Sequence, residues 1–165
     1  MRIGLDGYGL SPVLGPDRAY FLSCIRKTVL ESVRSEEAAA SDLWIDGILG
    51  AVETNLDGIG MKNEAFILKR EDGRMCGILW LGESKDQYTC DDTGYLLGIY
   101  VEEELRGFGL GRALLQAAEQ WCGERGFLSL TLNVGSMNKD ARTLYEGNGF
   151  CERSAVMRKD LLPPG

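Results

Sequence analysis

The sequence predicts an α/β (α+β) fold, a mixed central β-sheet with helices on both faces. Three observations carry this. The run Leu96-Leu97-Gly98-Ile99-Tyr100-Val101 is rich in the aliphatic and aromatic residues that suit a pleated, largely buried strand. It leads through a loop with glycine at every second position, Gly107, Gly109 and Gly111, into a stripe of Leu110, Leu114, Ala118 and Trp121/Cys122 at helical spacing. Upstream, two apolar runs flank Arg70-Glu71-Asp72-Gly73, and Asp-Gly between apolar runs signals a hairpin.

In chain order, Met1–Pro16 holds a short first strand. Asp17 can cap a helix in which Phe21, Ile25, Val29 and Val33 recur every fourth residue. Ser35–Ala40 is a small, acidic connection, and Ser41 or Asp42 caps a second helix with Trp44, Ile48 and Val52 on one face. Trp44 is read as core. Ala65–Leu68 and Met75–Leu81 form the hairpin, and Glu83–Asp92 is a polar connection whose Asp86, Asp91 and Asp92 face solvent. Gly126 stands where a helix C′ glycine belongs. Leu128–Val134 alternates as a strand, Asn138 caps a short helix over Asn138–Glu146, and Phe150–Lys159 is the last strand.

Composition narrows the function. At 165 residues the chain reads as one domain, residues 1–165. Net charge −7 argues against nucleic acid or an anionic membrane as partner. No long apolar run or charged-then-apolar leader is present, so no membrane span or signal peptide is expected. Five scattered cysteines without a Cys-x-x-Cys pair suit free thiols in a reducing cytoplasm, mostly in core packing. The chain has no histidine. That excludes Ser-His-Asp and Cys-His catalysis and His-based metal sites, and no metal is expected.

The strand–glycine loop–helix unit has a chemical use. The first N–H groups of a helix lack partners and carry the positive end of its dipole, so they favour an anion. Glycines let a bulky diphosphate approach, and Arg106 can add a charged donor. Two familiar motifs fail. A P-loop needs Gly-Lys-Ser/Thr, but Gly111 is followed by Arg112-Ala113. The dinucleotide fingerprint, started at Gly107 or Gly109, meets Arg112 or Leu114 at its last position.

Arg106, Gly109 and Gly111 do match the acyl-CoA signature Arg/Gln-x-x-Gly-x-Gly/Ala. Downstream, Leu130-Thr131-Leu132-Asn133-Val134, then Asn138, Ala141-Arg142, Leu144-Tyr145 and Gly149-Phe150, extend the match. The chain resembles the GNAT superfamily of acyl-CoA N-acyltransferases over roughly Gly94–Phe150. The resemblance implies acetyl-CoA as acyl donor and direct attack by an amine in a ternary complex. It implies that backbone groups of Ile99, Tyr100 and Val101 hold the pantetheine arm, with a backbone N–H near Ile99 polarising the thioester carbonyl. The diphosphate then lies on Arg106, Gly107, Phe108, Gly109, Leu110, Gly111 and Arg112. Many family members end in two strands after the Gly-Phe step, yet only about nine residues precede Asp160. One long strand ends the sheet, or a neighbouring chain completes it as a homodimer.

Asn138 and Tyr145, seven apart, return to nearly the same helix azimuth, so both can face the cofactor. Asn138 is expected near the pantetheine or diphosphate. The Tyr145 phenol is expected at the sulfur as general acid, since its pKa of ~10 suits a thiolate of ~8.5. Cys151 is read as a core thiol. No general base is assigned: Glu102-Glu103-Glu104 reads as a solvated turn, and Glu83 and Asp91/Asp92 are equally open. The acceptor is expected to be a primary amine, small or peptide-borne. The alternative is a non-catalytic acyl-CoA-binding or sensing module.

Overall fold

The computed structural model describes residues 3–32 and 42–159. Its elements are β1 (Tyr8–Pro12), α1 (Arg18–Ser32), α2 (Asp42–Leu56), β2 (Asn63–Arg70), β3 (Met75–Lys85), β4 (Asp92–Val101), α3 (Leu110–Glu124), β5 (Leu130–Leu132) and α4 (Lys139–Glu146). The strands form one sheet in the order β1-β2-β3-β4-β5, antiparallel except for the parallel β4–β5 pair. The expected mixed sheet is what forms. Ser35–Ala40, Ser41 and Val33 lie outside the described residues, so the connection and the cap expected there are not described.

Two apolar layers explain the helix placement. On one face Phe66, Leu68, Leu79, Leu81 and Leu96 of the sheet pack against Leu110, Leu114, Leu115, Ala118 and Trp121 of α3 and Tyr145 of α4. On the other, Ile67, Ile78, Trp80 and Tyr100 meet Phe21, Cys24 and Ile25 of α1 and Val52 of α2. Period-2 alternation sends neighbouring strand residues to opposite layers. The β2–β3 turn falls at Arg70-Glu71-Asp72-Gly73 as expected, with the Gly73 N–H on the Arg70 carbonyl. At the end of α3, Gly126 takes a positive φ of 76°, and the Gly126 and Phe127 N–H groups close back on Gly123 and Cys122. That is the Schellman arrangement expected of a C′ glycine.

Several expectations are corrected. Asp17 does not cap α1. It ends a 3-10 turn over Gly15–Asp17, accepts the Leu14 N–H and pairs with Lys69. Asp86 does not face solvent: it is 7 % exposed, accepts the Tyr88 and Thr89 N–H groups and pairs with Arg153. Those N–H groups and Arg153 hold its carboxyl below the usual range. Asp91 and Asp92 are exposed, Asp92 pairing with Lys85. Trp44 is half-buried rather than core. Cys24, Cys76 and Cys122 are buried, but Cys151 is exposed and is no core thiol. The strand expected over Leu128–Val134 shortens to three residues. Residues 151–159 form no strand and are exposed throughout, so the expected last strand is absent there.

Candidate active site

β4 and β5 are hydrogen-bonded only from Gly94 to Leu96, opposite Leu130 to Leu132. The β3–β4 register slips between Trp80 and Leu81, where Gly98 and then Leu96 are the partners, so Leu97 is an extra residue. Such a bulge re-aims the strand. Before it, Gly94 bonds outward to the Ser129 carbonyl; after it, Glu102 bonds inward to Cys76 of β3. Backbone groups alternate sides along a strand. Ile99 and Val101 therefore turn their backbone groups to the side β5 has left, while Tyr100 turns its own towards β3. Of the three residues expected to hold the pantetheine arm through their backbones, Tyr100 does not face the gap. Its side chain lies in the α1 layer.

At the far end of β4 the chain passes a 3-10 turn (Glu103–Leu105) and enters the glycine loop. Gly107 and Gly109 both have positive φ, 84° and 83°. These left-handed positions are costly for a residue with a Cβ, which is why glycine stands at both. The Ala113 N–H is the first to bond back, to the Gly109 carbonyl. Among the described residues, the N–H groups of Gly107 to Arg112 find no acceptor. Phe108 is exposed beside them, Leu110 is buried under the helix, and Gly111 lies close to Leu144 of α4.

The two arginines of the loop differ from each other. Arg106 is already engaged: Nε donates to the Val101 carbonyl at 3.0 Å and a terminal nitrogen to Glu31 at 2.8 Å, with the guanidinium 5.2 Å from the Tyr100 ring centre. Arg112 is exposed and makes no ion pair or hydrogen bond among the described residues.

Glu102 is not a solvated turn. Its carboxylate accepts from the Tyr20 hydroxyl at 2.9 Å, Lys27 at 3.0 Å and the Tyr100 hydroxyl at 3.4 Å. Burial pushes this carboxyl up, but the donors from Lys27 and Tyr20 more than reverse that and leave it below the usual range. The same contact raises Lys27, and burial raises Tyr20. The cluster ties α1 to the end of β4. Sequence reasoning missed it, although Tyr20, Lys27 and Glu31 stand at i, i+7 and i+11, a polar stripe on one helix face.

Asn138 is the N-cap of α4, its side-chain oxygen accepting the Ala141 N–H at 3.1 Å. Its amide nitrogen is 3.5 Å from the Ser32 hydroxyl at the end of α1. Next to it, Gly135 sits so close to the Ser32 carbonyl that a Cβ would overlap it. A 250 Å³ recess lined by Glu31, Arg106, Met137, Asn138, Lys139 and Asp140 opens between these elements. Tyr145 is 8 % exposed, with its ring 5.7 Å from that of Phe150. Burial pushes its phenol up to about 12, and its hydroxyl has no partner among the described residues.

The fold is thus a mixed α/β sheet parted beside a bulge, with N–H groups that find no acceptor among the described residues on the loop that follows. The model of the Acetyltransferase (GNAT) family matches residues 31–150, and the chain belongs to that family. It is 34 % identical over 94 residues to the uncharacterized N-acetyltransferase YycN of Bacillus subtilis (strain 168), covering 57 % of this chain and 59 % of that one. It is 38 % identical over 72 residues to the [ribosomal protein bS18]-alanine N-acetyltransferase of Escherichia coli (strain K12), covering 44 % and 47 %. These matches span about half to 60 % of the relatives' lengths. The crystal structure of a GCN5-related N-acetyltransferase from Ralstonia eutropha JMP134 shares the fold, with a TM-score of 0.67 at 22 % identity over 93 % of this chain and 99 % of that one.

Proposed function

We propose that this protein moves an acetyl group from acetyl-CoA to a primary amine by direct attack in a ternary complex. The observation that carries this is the set of N–H groups from Gly107 to Arg112 that find no acceptor among the described residues, opened by two left-handed glycines at the mouth of the β4–β5 gap. In this reading the nest holds the diphosphate, with Arg112, which makes no ion pair among the described residues, as a cation beside it. The pantetheine arm runs along the outward backbone of Ile99 and Val101, and the Ile99 N–H polarises the thioester carbonyl.

The amine nitrogen attacks the thioester carbon, the C–S bond breaks, and Tyr145 gives its proton to the departing sulfur. Its hydroxyl has no partner among the described residues, and burial, which raises its pKa, favours the protonated form that can donate. Water takes the proton that leaves the new amide nitrogen. Arg106 and Asn138 serve by position: Arg106 fixes the loop to β4 and α1, and Asn138 starts α4, which carries Tyr145. The relative from Escherichia coli is named for acetylating an alanine amine of a ribosomal protein, which supports an amine acceptor, small or peptide-borne.

The test is release of free thiol from acetyl-CoA with a panel of small amines and peptides, beside calorimetric titration with CoA. Amine-dependent release is expected. Tight CoA binding with no release for any amine would favour the non-catalytic acyl-CoA-binding reading. Gly109→Glu places bulk and like charge at the phosphates and should abolish CoA binding; unchanged binding would overturn the loop assignment.

A further inference from the structure

Lys27 and Glu31 stand four residues apart on α1 and share one face of it. Both are committed to the far end of β4, with opposite charges. Lys27 donates to Glu102 at 3.0 Å, with its nitrogen 5.1 Å from the Tyr100 ring centre. Glu31 accepts from Arg106 at 2.8 Å, and the Arg106 guanidinium lies 5.2 Å from the same ring centre. Tyr100 therefore has two cations within cation–π reach, one from each ion pair. The two pairs are not held alike. Glu102 also takes the Tyr20 and Tyr100 hydroxyls, and its side chain is 17 % exposed. The Glu31 side chain is 36 % exposed, at the surface, where it can let go.

That surface is the wall of the 250 Å³ recess beside the glycine loop. The charged side chains of the wall are Glu31 and Asp140 against Arg106 and Lys139, so they cancel. A recess that receives phosphates gains from net positive charge, yet here a carboxylate lies against one of its two cations. Carboxylate and phosphate are both oxyanions that take guanidinium N–H groups, so one can stand in for the other. On the reading that the glycine loop holds the diphosphate of acetyl-CoA, we infer that Glu31 competes with that diphosphate for Arg106 and sets how loosely CoA is held. With the recess empty, Glu31 keeps the guanidinium. A bound diphosphate brings like charge beside Glu31, and either the Glu31–Arg106 bond is given up or the repulsion is borne. Both lower the affinity. Lys27 keeps α1 on Glu102 when the outer pair opens, and the bond from Arg106 Nε to the Val101 carbonyl keeps the guanidinium at the mouth. The product CoA carries the same phosphates, so the loosened hold speeds its release as well.

A purely structural Glu31, fixing Arg106 and the loop for the ligand, predicts the opposite sign, and Glu31→Gln separates the two. The amide oxygen still accepts from Arg106, while the charge is gone. Calorimetric titration of the whole protein with CoA, at two ionic strengths, reads the result. Kd should fall about fivefold, the scale of one partly exposed charge pair. Its salt dependence should steepen, because the recess has gained a net positive charge. CoA should also become a stronger product inhibitor by a similar factor. In the Arg106→Ala background, Glu31→Gln should bring no such gain. Unchanged or weaker CoA binding by Glu31→Gln would overturn the competition, and so would a gain that persists undiminished without Arg106. A parent protein that binds no CoA would overturn the acetyl-CoA reading together with it. A parent that binds CoA, with no gain in Glu31→Gln, would overturn the competition alone.

Discussion

Tyr145 combines a buried ring with a hydroxyl that has no partner among the described residues, and the two properties predict different things. Tyr145→Phe keeps the packing against Phe150 and removes only the proton donor. With chemistry rate-limiting, kcat should fall about 10²-fold, the scale of general-acid catalysis, and CoA affinity should barely change. An unaltered kcat removes the role. Burial predicts a second effect. The folded phenol titrates at about 12, above the usual ~10, so unfolding lets it ionise earlier. Its contribution to stability is complete below about pH 10 and is lost as pH rises through about 12. Urea midpoints at pH 9 and 11 should therefore fall less steeply in Tyr145→Phe than in the parent. Tyr95 and Tyr100, also raised by burial, keep part of the slope. Glu102 has the opposite sign: held below the usual carboxylate range, its contribution fades as pH drops below ~4.3.

Between elements, the arginines at either end of the glycine loop should separate cleanly. Arg106 is spent on Val101 and Glu31, whereas Arg112 is free among the described residues. Arg112→Ala should weaken CoA binding and flatten its salt dependence, because a screened charge has gone. Arg106→Ala should weaken binding with the salt slope kept, and should lower the melting temperature by loosening α1 from β4. Calorimetry at two ionic strengths checks both, and equal salt slopes for the two variants would refute the distinction. The β3–β4 pairing that carries the bulge is also testable. A Cβ at Gly77 would overlap the Tyr100 carbonyl, a backbone atom that cannot rotate away. Gly77→Ala should cost about 1–3 kcal/mol, seen as a lower denaturant midpoint at constant m-value.

At the scale of the whole molecule, the excess of 25 acidic over 18 basic side chains favours a cationic acceptor. An ammonium must lose its proton before attacking, and the chain has no histidine to receive it. The value of kcat/KM should rise with pH towards the amine's own pKa without an inflection near 6.5, the histidine value. Raising salt should weaken apparent affinity for the amine by screening exposed carboxylates such as Asp91 and Asp92. A salt-independent profile would overturn the charge argument and leave the acyl-CoA reading untouched.

The unit from β4 through α3 was legible in the sequence because its signals are local. Strand composition, alternate glycines, a 3.6-residue stripe and a closing Gly126 each constrain a few consecutive residues. The hairpin at Asp72-Gly73 and the cap at Asn138 were readable for the same reason. Other features depend on partners far along the chain. Arg106 read from the sequence as an uncommitted donor at the rim, whereas the fold sets Glu31 beside it from 75 residues away. Glu102 and Asp86 read as solvated until Tyr20, Lys27 and Arg153 arrived from distant segments. Leu128–Val134, by its alternation, and Phe150–Lys159 were likewise expected to be strands, but a strand exists only where a neighbour supplies its hydrogen bonds. By itself the sequence determined which residues could make the strand, the anion nest and the proton donor. The tertiary structure decided which polar groups remain unpaired, because a donor or carboxylate near a ligand is available only if no distant side chain has taken it first.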